Sequence, residues 1–309
     1  MTALSVYLAG SLLPAQSLAA KPDEVSAKEP AQAPPGASPE RLGPAAPERV
    51  WRQSAKGPIE PGTVPIVLLH AFPFDSAMFQ DMMGRLAALP VMLIDLPGQG
   101  GSPTIQPVSI EAAAAAVVSS LRALGVSRAV VGGVSMGGYV TLALLRHHPE
   151  MLAGGILIGT KAEADSPEAQ AARLDMARQV LQDGTPEAVL PMVDKMISTA
   201  SRQAQPQLVE RLRQWARQAT PQGIAWAQEA MAGRTEAYQT LRITGLPIHL
   251  VAGAEDPLIP LATTDAMVRS AARGSTFTLI NDVGHLSPLE NPFVTSGLVR
   301  EAYLHMVQR

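Results

Sequence analysis

Short apolar runs alternate with segments of helical periodicity from about Val50 to the end of the chain. The runs are continuously apolar, and they read VPIVLLH (64–70), VMLID (91–95), RAVVGGV (128–134), GGILIGT (154–160), LPIHLVAG (246–253) and STFTLIND (275–282). Continuous hydrophobicity is typical of strands buried on both faces, as in a parallel sheet covered by helices. The pattern therefore predicts an α/β fold with a mostly parallel, doubly wound sheet. The segment VWRQSA, which starts at Val50, is predicted to be an edge strand.

The predicted helices have recognisable ends. The segment 109–125 has Ser109 as a candidate N-cap and Gly125 as the candidate residue just after the helix. The helix over 136–148 is predicted to stop at Pro149, because proline cannot continue helical hydrogen bonding. Further helices are predicted over 76–89 and 291–307.

Residues 161–245 interrupt the alternation, and we call them the helical insertion. No strand pattern occurs there, and hydroxyl residues followed by proline mark helix starts at Ser166, Thr185 and Thr220. We interpret the helical insertion as a cap over the carboxyl ends of the strands. Its large apolar residues are expected mostly to form its own core, with a few lining a pocket: Met176, Met192, Met196, Trp215, Trp226 and Met231.

Residues 1–49 differ in composition from the rest of the chain. They are rich in alanine and proline from Lys21 onward, and such a segment buries too little apolar area to offset its ordering entropy. We therefore expect disorder over 1–49 and a folded domain over 50–309. Residues 1–20 have an apolar stretch and small residues resembling a signal-peptidase site, without the usual positive start. Two interpretations stay open: an export signal with a linker, or a tail or misplaced start, in which case the cytoplasm is the expected location.

Composition excludes several functional classes. With 47% hydrophobic and 17% charged residues, the chain can build a sizeable core. A net charge of −3, no long basic run and 4% aromatic residues argue against nucleic-acid binding. No uncharged apolar run reaches about 18 residues, so we expect no membrane span. The absence of cysteine excludes disulfides, a thiolate nucleophile and cysteine metal sites.

The sequence GGVSMGG (132–138) raises the question of catalysis. Its core, Gly133 to Gly137, matches G-x-S-x-G around Ser135. The pattern alone occurs by chance in about one chain in ten of this length. Here it lies between a predicted strand and a predicted helix, which is the context of a nucleophile elbow. The Ser135 hydroxyl would then stand at a helix N-terminus, where amide dipoles favour developing negative charge.

A serine nucleophile needs a general base, and the chain has six histidines. His285 follows the last predicted strand in a glycine-containing loop, so it can reach the carboxyl edge of the sheet, and we predict that it is the base. His70 also ends a strand, but a role in structuring its loop fits it better. The remaining histidines are expected to be carried away from Ser135, packed or solvated: His147, His148, His249 and His305.

The base needs an orienting carboxylate. Asp256 comes directly after a buried strand, and the chain order Ser135, Asp256, His285 is the one that this elbow architecture uses. Glu255 is an adjacent alternative and Asp282 a weaker one. Asp95 also ends a strand, where holding the following loop is the favoured role.

An oxyanion hole completes the predicted site. One donor should be the backbone amide of Met136, next to the nucleophile. The other should come from the loop after VLLH, where the amide of Phe72 is in place.

These segments together resemble the α/β-hydrolase superfamily. VLLHAFPFD, LIDLPGQGGS, VVGGVSMGG, LVAGAEDPLIP and GHLSPLENP match its oxyanion loop, post-strand loop, elbow, acid loop and histidine loop in order, over about residues 50–309. The segment entering the helical insertion is similar to enol-lactone hydrolases and carboxylesterases. Ala71 stands where the family usually has glycine, and Gln99 where it commonly has histidine. A serine nucleophile counts against the superfamily's haloalkane dehalogenases and epoxide hydrolases.

The expected function is therefore hydrolysis of a small to medium carboxylic ester or lactone through an acyl-enzyme. No cofactor and no metal is expected, and the partner is a small-molecule substrate, with the oligomeric state left open. The same fold also serves C–C hydrolases, perhydrolases, acyltransferases and non-catalytic ligand-binding proteins, so these alternatives stay open. Lys161 and Arg234 border the helical insertion, where cations would suit a dicarboxylate lactone. Solvated surface is the favoured interpretation of both.

Overall fold

The structure is a computed structural model that describes residues 62–308 in full and, before them, the backbone of three strands. These are β1 Leu4–Leu8, β2 Glu40–Arg41 and β3 Val50–Gln53. The rest of the chain lies outside the described residues, and with it most of the predicted N-terminal disorder and the signal-like start.

A parallel sheet forms the centre of the described part. Its strands are β4 Ile66–Leu69, β5 Val91–Ile94, β6 Ala129–Val134, β7 Leu152–Ile158, β8 Ile248–Gly253 and β9 Thr276–Ile280. The order across the whole sheet is β1-β9-β8-β7-β6-β4-β5-β3-β2, with antiparallel pairing at β1, β2 and β3. Every residue of β4, β5, β6, β7 and β8 is buried, which confirms the α/β prediction from continuous apolar runs.

Two short strands, β1 and β2, fall within residues 1–49, the segment for which disorder is expected. β1 pairs antiparallel with β9, so that Leu4 lies opposite Ile280, and β2 pairs with β3. The disorder prediction rests on the small apolar area that such a segment can bury. Backbone pairing at a sheet edge supplies hydrogen bonds without needing that area. The segment VWRQSA contains a strand, β3, but β3 pairs with β5 on one side and with β2 on the other, so it lies next to the edge of the sheet and not at it.

The strand order fixes where a ligand can bind. The chain runs from β4 outward to β5 and then returns to β6 on the other side of β4. Ligands in open α/β sheets bind outside the carboxyl ends of the strands where the order reverses in this way. The loops that follow β4 and β6 therefore border the expected crevice, and they carry the predicted oxyanion amides and Ser135.

The helices around the sheet begin and end close to their sequence signals. They are α1 Gln80–Leu86, α2 Ile110–Ala123, α3 Met136–His147, α10 Leu261–Ser270, α11 Ser287–Glu290 and α12 Pro292–Val307. Ser109 caps α2 by accepting a hydrogen bond from the Ala112 amide, and Gly125 after it has a φ of +73°. The predicted helix over 76–89 is split, because residues 76–79 form a 3-10 turn before α1.

The helical insertion contains helices and no strand, and it is described throughout. Its helices are α4 Pro167–Asp183, α5 Leu190–Val193, α6 Thr199–Ala204, α7 Pro206–Ala216, α8 Pro221–Ala232 and α9 Tyr238–Ile243. Ser166 and Thr220 cap α4 and α8 as predicted. Thr185 does not cap a helix, because Pro186 takes the N-cap place of a short 3-10 turn there.

The helical insertion is bonded to the loop that follows β5. The side-chain amide of Gln99 donates to the Gly223 carbonyl at 3.0 Å, and the Trp226 indole donates to the Ile105 carbonyl at 2.7 Å. A Cβ on Gly223 would lie 1.8 Å from the Gly98 carbonyl oxygen, so glycine is needed for this close approach. Among the residues that the structure describes, no helix has the length and apolar character needed to cross a membrane.

Candidate active site

Ser135 occupies a strained turn between β6 and α3. Its φ is 52° and its ψ −111°, a backbone conformation that residues other than glycine rarely adopt. A Cβ on Gly133 would lie 2.1 Å from the Gly137 carbonyl oxygen, and a Cβ on Gly137 would lie 2.2 Å from the Leu69 carbonyl oxygen. The turn therefore requires glycine on both sides of the serine, which accounts for the G-x-S-x-G pattern.

Two backbone amides, on the loop after β4 and at the start of α3, have no protein acceptor among the described residues. Within the described part of the chain, the amides of Phe72 and Met136 donate no hydrogen bond to another protein group. The Gly137 amide donates to the His70 carbonyl at 3.1 Å, which ties the loop after β4 to the start of α3. Free amides on two tied loops are the arrangement that an oxyanion hole needs.

His285 and Asp256 form a buried pair. The distance from His285 Nδ1 to Asp256 Oδ2 is 2.8 Å, and both side chains are 1% exposed. The other oxygen of Asp256 accepts the amides of Leu258 and Ile259 at 2.8 and 3.0 Å, which fixes the carboxylate. The two alternatives for the orienting carboxylate, Glu255 and Asp282, are both exposed.

The elbow and the His–Asp pair meet at Gly159, the residue after β7. The Ser135 amide donates to the Ile158 carbonyl at 2.9 Å, and the Thr160 hydroxyl donates to the Ser135 carbonyl at 2.8 Å. A Cβ on Gly159 would lie 3.5 Å from His285 Nδ1 and 3.6 Å from an Asp256 carboxylate oxygen. The structure thus bonds His285 to Asp256 and places Ser135 across one glycine from them.

Ser135 and His285 are not hydrogen-bonded to each other in this structure. Nε2 of His285 is buried and has no partner among the described residues. Because Nδ1 lies against a carboxylate, the tautomer with the proton on Nδ1 is favoured, and Nε2 is then free to accept a proton. Contacts between nucleophile and base are often long before substrate binds.

His70 and Asp95 have the structural roles predicted for them. His70 is fully buried, and its Nε2 accepts the Leu96 amide at 2.8 Å. Burial lowers the pKa of His70, against the opposing charge of Asp95. The Asp95 carboxylate accepts the amides of Ser76 and Gly101, each at 3.0 Å. Both side chains hold the loops around the crevice.

Arg234 is not the solvated residue that the sequence suggested. Its side chain is 4% exposed and donates to both carboxylate oxygens of Asp165, at 2.7 and 2.8 Å. Arg173 and Lys161 also contact Asp165, at 2.6 and 3.0 Å. Burial opposes ionisation of Asp165, but hydrogen bonds and charge from Arg234 and Arg173 hold the pKa of this carboxyl well below its ordinary value. Lys161, Asp165 and Arg173 are close along the chain, but Arg234 joins them from 69 positions away, a contact that local sequence patterns do not reveal.

The burial of His249 should make the stability of the fold depend on pH. Burial, and secondarily the charge of His305, lower the pKa of His249 to about 4. The unfolded chain then binds a proton near pH 6.5 that the folded chain does not, so stability falls as pH drops from about 6.5 to 4, by up to about 1.4 kcal/mol per pH unit. In urea unfolding at a series of pH values, His249→Gln should flatten this slope, whereas the exposed control His147→Gln should keep it. Equal slopes in all three proteins would contradict the prediction.

Comparison with known proteins agrees with this geometry. The family described as alpha/beta hydrolase fold matches residues 64–292. A pimeloyl-[acyl-carrier protein] methyl ester esterase of Neisseria meningitidis is 29% identical over 266 residues, covering 81% of this chain and 80% of that protein. A 3-oxoadipate enol-lactonase of Acinetobacter baylyi is 28% identical, covering 65% of this chain and 74% of that protein. The structure of a thermophilic esterase from Thermogutta terrifontis, with malate bound, is 30% identical with a TM-score of 0.77, covering 87% and 99% of the two chains.

The family match extends from β4 to the start of α12, so it includes the parallel sheet, the elbow turn and the histidine loop. The resemblance that the motifs indicated is therefore confirmed. The chain belongs to the alpha/beta hydrolase fold family.

Proposed function

We propose that the protein hydrolyses a small to medium carboxylic ester or a lactone through an acyl-enzyme formed on Ser135. At the coarse level the relatives agree, and the protein is an ester-bond hydrolase. The observation that carries the finer proposal is the buried His285–Asp256 pair, which lies across Gly159 from the strained serine. Beside a serine nucleophile, such a pair can take up the proton of the hydroxyl and return it to the leaving group.

The proposed reaction has two halves. The Ser135 hydroxyl oxygen attacks the substrate carbonyl carbon while its proton moves to His285 Nε2, and Asp256 stabilises the imidazolium that forms. The amides of Phe72 and Met136 bind the resulting oxyanion. The carbon–oxygen bond to the alcohol then breaks, and the alcohol oxygen takes the proton from Nε2. Water repeats these steps on the acyl-enzyme, which releases the acid and regenerates the serine.

The helical insertion is proposed to cover this site. Trp215 on α7 donates from its indole nitrogen to Asp75 at 3.2 Å, and its ring packs 5.2 Å from that of Phe74. Asp75 and Phe74 both lie in the oxyanion loop that carries Phe72. The Met196 carbonyl accepts the His285 amide at 3.0 Å. The helical insertion thus contacts both the oxyanion loop and the histidine loop, as a cap that excludes water from the site would.

Covalent labelling tests the proposed nucleophile. The full chain is treated with phenylmethylsulfonyl fluoride while p-nitrophenyl ester turnover, from acetate to octanoate, is followed on the same samples. We expect one equivalent of label on the peptide that contains Ser135, with turnover lost in proportion to labelling, because an activated serine reacts far faster than others. Turnover that survives full labelling of Ser135 would overturn the proposal. The chain-length profile of the unlabelled protein would define the acyl pocket.

A further inference from the structure

Glu290 has an unusual set of hydrogen bonds beside the candidate site. It ends α11, is 6% exposed, and its carboxylate accepts three backbone amides. Oε1 accepts the Leu286 amide at 3.0 Å, and Oε2 accepts the amides of Gly284 and Ser198, each at 2.8 Å. Gly284 and Leu286 are the residues on either side of His285. A single side chain thus holds the backbone both before and after the predicted base.

The burial of this carboxylate needs an explanation. In the part of the chain that the structure describes, no lysine or arginine forms an ion pair with Glu290, and its compensation comes from backbone amides. Hydrogen bonds to an ionised acceptor are about twice as strong as neutral ones, so three of them can hold a loop in one conformation. A fixed loop is what a general base requires, since its ring must reach both a carboxylate and a nucleophile.

We propose that Glu290 is the positioning residue for His285, holding the backbone on both sides of it so that the imidazole stays between Asp256 and Ser135. The proposal rests on the proposed function, because it takes His285 to be the base. Glu290 touches neither substrate nor reacting atoms in this proposal, and it acts through the histidine loop alone.

The third amide extends the same support to the helical insertion. Ser198 belongs to the insertion, and its hydroxyl also donates to the Asp282 carbonyl at 3.0 Å. A Cβ on Gly284 would lie 2.5 Å from the Ser198 nitrogen and 3.1 Å from Glu290 Oε1, so these groups are closely packed. The histidine loop is therefore held from the α11 side and from the insertion side at once.

The variant Glu290→Gln tests the proposal with little change in volume. Its amide can replace one carboxylate oxygen, but its NH2 group must then face a backbone N–H donor, so at least one bond at the loop is lost. We expect kcat for p-nitrophenyl butyrate to fall by about 10- to 100-fold, because small displacements of a reacting group have effects of this size. KM should stay within about twofold, because the substrate contacts are unchanged.

The matched control is Asn291→Ala, one residue further on. Asn291 caps α12 by accepting the Val294 amide at 3.1 Å, so its loss lowers stability but removes no hydrogen bond to the backbone of Gly284, His285 or Leu286. We expect its kcat to stay at the wild-type level. Equal losses of kcat in Glu290→Gln and Asn291→Ala would overturn the proposal, because general destabilisation would then explain both.

A second readout does not depend on turnover. In protein labelled with ¹⁵N-histidine, the Nδ1 proton of His285 gives a hydrogen-bonded NMR signal that Asp256→Asn identifies by its displacement. This signal should shift and exchange faster in Glu290→Gln and be unchanged in Asn291→Ala. An unchanged signal with unchanged kcat overturns the positioning role, whereas a displaced signal in a protein without ester turnover supports that role and refutes the proposed function. If Glu290→Gln does not fold, Glu290→Asp takes its place. This variant keeps the charge but withdraws both oxygens by about 1.5 Å, so it should also shift the His285 signal and lower kcat.

Discussion

Ser135→Ala is expected to reduce kcat for p-nitrophenyl butyrate by about 10⁶-fold, the size of loss seen when a triad nucleophile is removed. The variant removes the proposed attacking oxygen, so His285, the proposed base, would have no hydroxyl from which to take a proton. Binding and the amides of Phe72 and Met136 remain, so a small residual rate above water is expected and KM should change little. Steady-state kinetics at pH 7.5 on the purified full chain measures kcat, KM and the residual rate above that of water.

The control for this variant is another buried serine. Ser120 on α2 is fully buried and its hydroxyl has no partner among the described residues, so Ser120→Ala removes the same atom from a helix outside the candidate site. Its kcat should match wild type. If Ser135→Ala retained more than a tenth of the activity, the nucleophile would lie elsewhere. If the folded wild type neither turned over esters and lactones nor took up label, the proposed catalytic role of Ser135 would be overturned.

The fold and the elbow turn can be predicted from the sequence for identifiable reasons. A strand buried on both faces is written as a continuous apolar run, and β4 to β8 all carry that pattern. Ser135 can be recognised because its turn has no room for side chains at Gly133 and Gly137, so the sequence must have glycine at both positions. Asp256 follows from chain order, but the choice between it and Glu255 depends on how the loop after β8 turns, which the sequence does not encode locally.

The features that the sequence does not reveal are of different kinds. Glu290 accepts hydrogen bonds from backbone amides. Because nearly every residue has a backbone amide, no residue type in the sequence identifies these partners. Asp165 meets Arg234 from 69 positions away, which local patterns do not reach. Thr185 was predicted to cap a helix because it precedes proline, yet that proline itself occupies the N-cap place. Hydrogen bonds to backbone amides, contacts between residues distant in the chain and the exact place of a cap are thus what local patterns do not predict here.

Asp256→Asn is expected to reduce kcat by about 10⁴-fold, because it leaves the histidine in the wrong tautomer. One oxygen of Asp256 accepts the amides of Leu258 and Ile259, and an asparagine side chain can accept those bonds only with its carbonyl oxygen. Its NH2 group must then face His285 Nδ1 and donate to it. The ring proton moves to Nε2, so the atom that should accept the Ser135 proton already carries one.

The neighbouring carboxylate gives the control, since Glu255→Gln makes the same change of charge one residue away on an exposed side chain. We expect its kcat to be unchanged. Ring ¹⁵N shifts of His285 should show the proton on Nδ1 in wild type and in Glu255→Gln, and on Nε2 in Asp256→Asn. Loss of activity without the change of tautomer would mean that the negative charge of Asp256 acts by stabilising the imidazolium alone. Activity retained in Asp256→Asn but lost in Glu255→Gln would transfer the orienting role to Glu255, against the buried 2.8 Å contact that Asp256 makes.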